Sequence, residues 1–495
     1  MFEINVYPTH ISVSNAKEAS IKLGKLLELF EYEDEYEEVI NTLGYVINEQ
    51  QDMLYFNKGV DVEYIKKTLV DAKVTVHEAP EPADMLFEYE EIIPPRDEEQ
   101  VEMINFVSAS NEWARTKNSP QVFMVAKTGV GKTFTSCVGA VLYKKKTLII
   151  CHRAELLKQW RATLIEKIGM ADSDIHTLTT EDFLAAEELE LDLADVYLLS
   201  HQTFRFALKA VGGYFERIAK AIENLGIGLK IIDEAHLEFH NIILIDMSMN
   251  IKRNLYLTAT DGRSSKDENA IFGHVFTKAI KFTKNAKHKR KWIEYCAIHV
   301  NTHVPFAVAK YQLENGRGMN ATKYGKAVIK RDRRHVHFNA INELLRMIFT
   351  RDEHAKVLIF MPLIELCEDL RFFINTHLNK DQSFDYDLRL GTINSHNSKA
   401  ENDHSRRCDV IISTILSCGT GTDIPGITDI ICCSPFKSKI TTEQVFGRLR
   451  YYGKTCGYYD IIDDSVKMDM IFAKLRSKTI KTLALSMSEL QFDIF

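Results

Sequence analysis

AKTGVGKT, Ala126 to Thr133, stands between an apolar run, VFMV at 122 to 125, and a stretch compatible with a helix. A glycine-rich turn in that setting presents backbone N–H groups to phosphate oxygens, because Gly129 and Gly131 tolerate positive φ and put no side chain in the way. Ala126, Lys127, Thr128, Gly129, Val130 and Gly131 are expected to form the loop. Lys132 would reach the β- and γ-phosphates of ATP, and the Thr133 hydroxyl would ligate Mg²⁺. Strand, glycine turn and helix in this order predict an α/β fold.

Further apolar runs recur between helical segments from about 96 to 285: TLIICH at 147 to 152, VYLLSH at 196 to 201, KIIDEAH at 230 to 236 and NLYLTAT at 254 to 260. A second series holds KVLIFMP at 356 to 362, DVIISTIL at 409 to 416, TDIICCSP at 428 to 435 and GYYDIID at 457 to 463. Such runs predict two parallel sheets in tandem, each covered by helices on both faces. At the end of one run stands DEAH. Asp233 there could hold Mg²⁺ through water, and Glu234 could polarise an attacking water as general base. A binding module without catalysis does not account for this hydrolytic set.

The 495 residues exceed what one core usually serves, and no apolar stretch approaches the roughly 20 residues of a bilayer span. The start, MFEINVYPTH, lacks the basic flank and apolar run of a signal peptide, so a cytoplasmic protein is expected. Nine cysteines show no C-x-x-C pair, and reduced, buried thiols without a metal cluster are expected. The net charge of −7 is uneven, because residues 1 to 95 hold 20 Asp/Glu against 7 Lys/Arg. The remainder is therefore mildly basic, and whole-chain charge does not argue against a polyanionic partner. Strand-like runs (INVYPTHISV, KVTVHE) and helix-like runs (AKEASIKLGKLLELF, VEYIKKTLVDA) predict a small α+β domain over 1–94, followed by an acidic, Pro-punctuated connector ending near Pro95. The expected order continues with a lobe at 95–290, a connecting segment at 291–335 and a second lobe at 336–495 with a C-terminal helical tail.

The order AKTGVGKT, DEAH, TAT (Thr258 to Thr260), TILSCGTGTDIPG (Thr414 to Gly426) and QVFGRLR (Gln444 to Arg450) resembles that of superfamily 2 helicases, over residues from about 96 to 465. Within that superfamily, SPFKSKITTEQVFGRLRYYGKTCGYYDIIDDSVK is similar to the closing stretch of bacteriophage UvsW-type helicases, relatives of RecG and XPB. The resemblance implies two RecA-like lobes and an ATP- and Mg²⁺-dependent motor. It would unwind or branch-migrate forked and branched DNA in replication, recombination or repair, as a phage-encoded protein in the host cytoplasm. An RNA helicase, or a motor subunit of a partner-dependent DNA-processing complex, are the alternative readings.

The resemblance also implies roles position by position. His236, Thr258 and Thr260 would couple the nucleotide state to movement, and Gly419, Gly421 and Asp423 would line the cleft between lobes, with Asp423 near the nucleotide. Arg448 and Arg450 would act as arginine fingers, and Gln444 would join the contact with DEAH. The usual pattern is Q-x-x-G-R-x-x-R, yet Tyr451 stands three places after Arg448, so either Arg450 serves through a one-residue shortening or Arg448 acts alone. Thr414 would touch the nucleic-acid backbone. His152 and Arg153 could pair with phosphate or merely begin a helix; Gln202 and Thr203 in SHQTF are further candidate donors. Gln100 either reads adenine or is an exposed helix-start residue, and Trp160 fits a core better than a base-stacking platform. The basic runs Lys278 to Trp292 and Lys330 to His337 would border a phosphate-tracking groove or form solvated faces.

Overall fold

Apolar runs without alternation demand burial on both faces, and in this chain they become central parallel strands. The computed structural model describes residues 2–33, 40–117, 119–126, 130–189, 191, 194–235, 237–259, 266–277, 279–283, 290–303, 321–332, 335–419, 424–450 and 453–492. They fall into two units, Met1–Asn285 and Ala286–Phe495. No helix among the described residues is long and apolar enough to cross a membrane.

The first unit opens with strands β1 (Glu3–Val6), β2 (His10–Ser14), β3 (Glu31–Glu33), β4 (Ile40–Thr42), β5 (Tyr45–Asn48), β6 (Met53–Asn57) and β7 (Lys73–Val76). A mixed sheet of order β5-β6-β2-β1-β7 and a β3-β4 hairpin result, with helices Ala16–Lys22 and Val62–Thr68. The first lobe follows: β8 (Val122–Val125), β9 (Thr147–Cys151), β10 (Ile175–Thr177), β11 (Val196–Ser200), β12 (Leu229–Ile232), β13 (Arg253–Thr258) and β14 (Ile280–Thr283). Their order is β10-β11-β9-β12-β13-β8-β14, parallel throughout. Alternate residues feed two cores. Phe123, Val125, Ile232 and Tyr256 face one, and Val122, Met124, Ile231 and Leu257 face the other.

The acidic domain at 1–94 is not a tethered appendage, because its apolar residues belong to the same core as one face of the first lobe. Tyr55 packs on Phe215 with ring centroids 4.6 Å apart, and the Thr9 hydroxyl donates to Met249 O at 3.0 Å. A Cβ added at Gly59 would stand 2.0 Å from His274 O, so only glycine lets this loop approach helix Lys266–Val275. The connector after it is laced to the lobe: Ala83 N–H donates to Gly226 O, and the N–H groups of Leu86 and Phe87 donate to the Asp195 carboxylate.

The second unit contains β15 (Arg290–Val300), β16 (Val357–Phe360), β17 (Leu390–Ile393), β18 (Val410–Ser413), β19 (Asp429–Cys432), β20 (Cys456–Asp463) and β21 (Ala484–Gln491). They form a parallel sheet of order β17-β18-β16-β19-β20-β15-β21. Helices Val336–Arg351 and Ile364–His377 cover one face, and helices Lys439–Phe446 and Lys467–Ile480 the other. Two expectations change here. The stretch expected as a connector from 291 carries β15, whose Ile293, Tyr295, Ile298 and Val300 are buried between β20 and β21. The C-terminal tail is helical only to Ile480 and then returns to the sheet as edge strand β21.

Removing residues 1–94 should uncover Phe215, Met249 and the face of helix Phe239–Ser248 on which β2 and β6 rest. At about 1.5–3 kcal/mol for each large apolar side chain, that loss rivals the roughly 5–15 kcal/mol of a typical domain. The truncated chain is expected to aggregate and to bind a hydrophobic dye. A monodisperse truncation melting at the full-length temperature would show that the lobe closes its core unaided.

Candidate active site

β8 ends at Val125, and Gly131, at φ +101°, caps helix Lys132–Tyr143 in the left-handed region. Ala126 N–H is held by Thr258 O at 3.0 Å, which fastens the start of the turn to the end of β13. The Lys132 ammonium is buried and donates to Ala126 O at 3.0 Å, which uses one of its three donors. Thr133 is half-buried in the first helical turn. Gln100 is not exposed. It lies in the first turn of helix Glu98–Val107 and is buried, with its amide donating to Val130 O at 3.0 Å and accepting from Arg96 N–H at 2.8 Å. A Cβ at Gly131 would meet Gln100 Nε2 at 2.4 Å, so turn and amide are fitted to each other.

The DEAH turn begins where β12 stops at Ile232. Asp233 N–H donates to Ile150 O at 2.9 Å and Ala235 N–H to Leu257 O at 2.8 Å, so Glu234 must reverse the chain between two neighbouring strands and takes φ +51°. Asp233 is buried; its Oδ1 accepts from Glu234 N–H at 2.9 Å and its Oδ2 from Trp160 Nε1 at 3.0 Å. Burial, then the neighbouring Glu234, push its carboxyl up to about 6, while the Trp160 bond and the Lys132 charge pull the other way. Thr258 is buried at the end of β13. Lys132, Asp233, Glu234 and Thr258 thus share the carboxyl edge of one parallel sheet, the usual place for a ligand in such folds.

The strand-contact candidates share that edge. Arg153, exposed, is the N-cap of helix Ala154–Glu166 and its side chain makes no cap bond. His152 is half-buried beside it. Gln202 is exposed, whereas the Thr203 hydroxyl is paired with Ser200 Oγ at 2.8 Å in the cap of helix His201–Ala210. His201 is buried and its Nδ1 lies 3.2 Å from Glu238 Oε2, a link from this turn to the turn after DEAH that sequence reading did not single out. Of the basic run from Lys278, Ile280–Thr283 forms edge strand β14 and Arg290–Trp292 begins β15.

In the second unit, Thr414 follows β18 and its hydroxyl donates to Ser417 Oγ at 3.0 Å, closing a π-turn at Ile415–Gly419. Gln444 is buried in helix Lys439–Phe446; Arg448 is half-buried and Arg450 exposed on either side of buried Leu449. The loop before this helix is fixed by Arg476, which is 1% exposed, pairs with Asp460 at 2.9 Å and donates to Phe436 O at 2.9 Å. Lys127, Thr128, Gly129, His236, Thr260, Gly421 and Asp423 lie outside the described residues, as do Lys278, 284–289 and 333–334 of the basic runs.

The family described as the res subunit of type III restriction enzymes matches residues 93–263, and the helicase conserved C-terminal domain matches residues 337–452. The chain belongs to the superfamily 2 helicases. Among curated proteins it is 23% identical over 340 residues to the transcript termination protein A18 of Yaba-like disease virus, a match covering 65% of this chain and 62% of that protein. It is 25% identical over 244 residues to the putative DNA 3'-5' helicase Rad25 of Haloarcula marismortui, covering 46% of this chain and 36% of that protein. The matched part therefore spans about three fifths of the first relative and about a third of the second. Similar folds include S. cerevisiae Dbp5 bound to RNA and ADP BeF3 (TM-score 0.52, 13% identity, 76% of this chain and 86% of that one). The DEAD-box helicase Mss116 bound to ssRNA and UDP-BeF is another (TM-score 0.53, 15% identity, 80% and 75%).

Membership of the superfamily 2 helicases implies the use of a nucleoside triphosphate with a divalent cation. The first lobe fits both groups: Gly131 at a helix N-terminus, a buried ammonium for phosphate, and a hydroxyl and a carboxylate for the cation. Lys132→Ala is expected to lower ATP turnover at least a hundredfold without moving the melting temperature. Glu234→Gln should still bind ATP and hydrolyse it at least a hundredfold more slowly, as removal of a general base does. Wild-type turnover by either folded variant would remove that residue from the catalytic set.

Proposed function

We propose that this helicase is an ATP-driven DNA motor that unwinds or branch-migrates forked and branched substrates. The observation that carries the reading is the meeting of Lys132, Asp233, Glu234 and Thr258 on one sheet edge, with Arg153 and Gln202 exposed on neighbouring loops of that edge. Such an edge serves hydrolysis and strand contact together. DNA is favoured by the UvsW-type closing stretch from Ser434 to Lys467 and by the archaeal relative named as a DNA helicase. RNA stays in the test because the viral relative is named for transcript termination.

In this reading Lys132 balances phosphate charge, Thr133 and Asp233 hold Mg²⁺, and Glu234 orients and deprotonates the attacking water. Mg²⁺, when bound, supplies charge neutralisation to the phosphates. Gln100, Gly421 and Asp423 contact the nucleotide, while His236, Thr258 and Thr260 pass its state to the strand contacts His152, Arg153, Gln202, Thr203 and Thr414. Arg448 and Arg450 bring positive charge from the second lobe to the transition state, supported by Gln444.

ATP hydrolysis should be stimulated most by forked and four-way DNA, less by single-stranded or duplex DNA, and least by RNA. RNA as the strongest activator would overturn the substrate assignment. Arg448→Ala should lower kcat about a thousandfold while ATP affinity changes only a few-fold, because a finger acts mainly in the transition state. Normal kcat in Arg450→Ala would leave Arg448 as the single finger.

A further inference from the structure

Trp160 is one of three tryptophans in the chain and lies in helix Ala154–Glu166, 1% exposed. Leu156, Leu157 and Leu164 of the same helix are buried with it, so the indole is held on a rigid face. A buried indole N–H needs an acceptor, and it can act only as a donor. Here the acceptor is Asp233 Oδ2 at 3.0 Å, while Asp233 Oδ1 accepts from Glu234 N–H at 2.9 Å. One donor on each oxygen fixes the rotation of the carboxylate, and two donors to the charged form offset part of the cost of burying it. Lone pairs not aligned with these donors are then presented in a set direction.

We propose that Trp160 is a positioning residue, whose indole N–H orients the Asp233 carboxylate for a nucleotide-bound divalent cation. The inference rests on the reading of Asp233 as the cation-holding carboxylate. The helix that carries Trp160 is the one that Arg153 caps, so the partner of the cation-holding residue is built into an element of the strand-contact edge. Outer partners of metal-binding groups characteristically tune affinity by fixing ligand orientation.

The test uses the full-length protein with a non-hydrolysable ATP analogue and Mn²⁺ as probe, the free Mn²⁺ being read by electron paramagnetic resonance. Trp160→Phe removes the donor with some loss of packing. A benzothienyl-alanine at position 160, with sulfur in place of the N–H, removes the donor and keeps the shape. Both are expected to retain Mn²⁺ about tenfold to a hundredfold more weakly, the usual range for a lost outer partner. The benzothienyl form should keep the wild-type melting temperature and its affinity for the analogue without divalent cation. Wild-type Mn²⁺ affinity in that form would overturn the positioning role. Asp233→Asn separates the two readings. Loss of Mn²⁺ in Asp233→Asn with retention in the benzothienyl form refutes Trp160 alone, whereas retention in Asp233→Asn refutes the assignment of Asp233 itself.

Discussion

Two carbonyl oxygens at the end of β13 hold the active edge of the first lobe together. Thr258 O accepts from Ala126 N–H, where the phosphate loop begins, and Leu257 O accepts from Ala235 N–H inside the DEAH turn. β13 lies between β8 and β12 in the sheet, so the chain leaving β8 and the turn leaving β12 are each a single bond from the same strand. Buried backbone groups are costly to leave unpaired, so neither loop can shift without a new partner for these donors. The left-handed φ of Glu234 follows from the same constraint. The chain must leave β12 after Asp233 and present Ala235 N–H to β13, and one residue is available to make the reversal.

Each unit also spends a buried arginine on a helix that carries a motif residue. In the first lobe Arg253, at the start of β13, donates to Phe106 O, Val107 O and Thr116 Oγ1, capping helix Glu98–Val107, whose other end carries Gln100. The oxygens it bonds are neutral, and burial draws its pKa down to about 10, still well above neutrality. A cation at a helix C-terminus is favourably placed, and this one ties the helix to the strand whose far end bonds Ala126 and Ala235. In the second unit Arg476 bonds Asp460 and Phe436 O, fixing the entry to the helix that bears Gln444. Removing the Arg476 guanidinium strands the buried Asp460 carboxylate, a loss of about 3–5 kcal/mol for a broken buried pair, whereas removing that of Arg253 strands neutral oxygens, at about 1–3 kcal/mol each. Both arginines act by fixing where a helix begins or ends.

The central strands were legible because a parallel strand buried on both faces is an unbroken apolar run, as VFMV, TLIIC and VYLLS are. Their limits were less so: KIIDEAH reads as one strand, yet the strand ends at Ile232 because the chain turns at Glu234. β15 was hidden behind a basic run, and β21, ALSMSELQ, is exposed after its first residue and carries no burial signal. That AKTGVGKT and DEAH each follow a buried strand could be read from the apolar runs before them. The partner of Trp160 could not, since the acceptor lies 73 residues away, and nothing in a sequence says which buried acceptor a distant indole will meet. Gln100 was similarly ambiguous: only the fold brings Val130 O over the first turn of its helix.

The acidic domain illustrates what charge and pattern leave open. Its alternating strands predict a small α+β unit equally well whether its inner face closes on itself or on a neighbour. The outcome is set by Val13, Tyr55 and Phe56 sharing a core with Phe215, Phe239 and Phe272. Its strands β2 and β6 rest on helix Phe239–Ser248, which leads away from the DEAH turn, and its Gly59 loop touches the end of helix Lys266–Val275 beyond the TAT motif. Close-packed interiors transmit displacement rather than absorb it. The domain must therefore travel with the first lobe, and any influence it has on which nucleic acid is engaged is exerted from a surface fixed to the helices that follow the hydrolytic motifs, not from the end of a flexible tether.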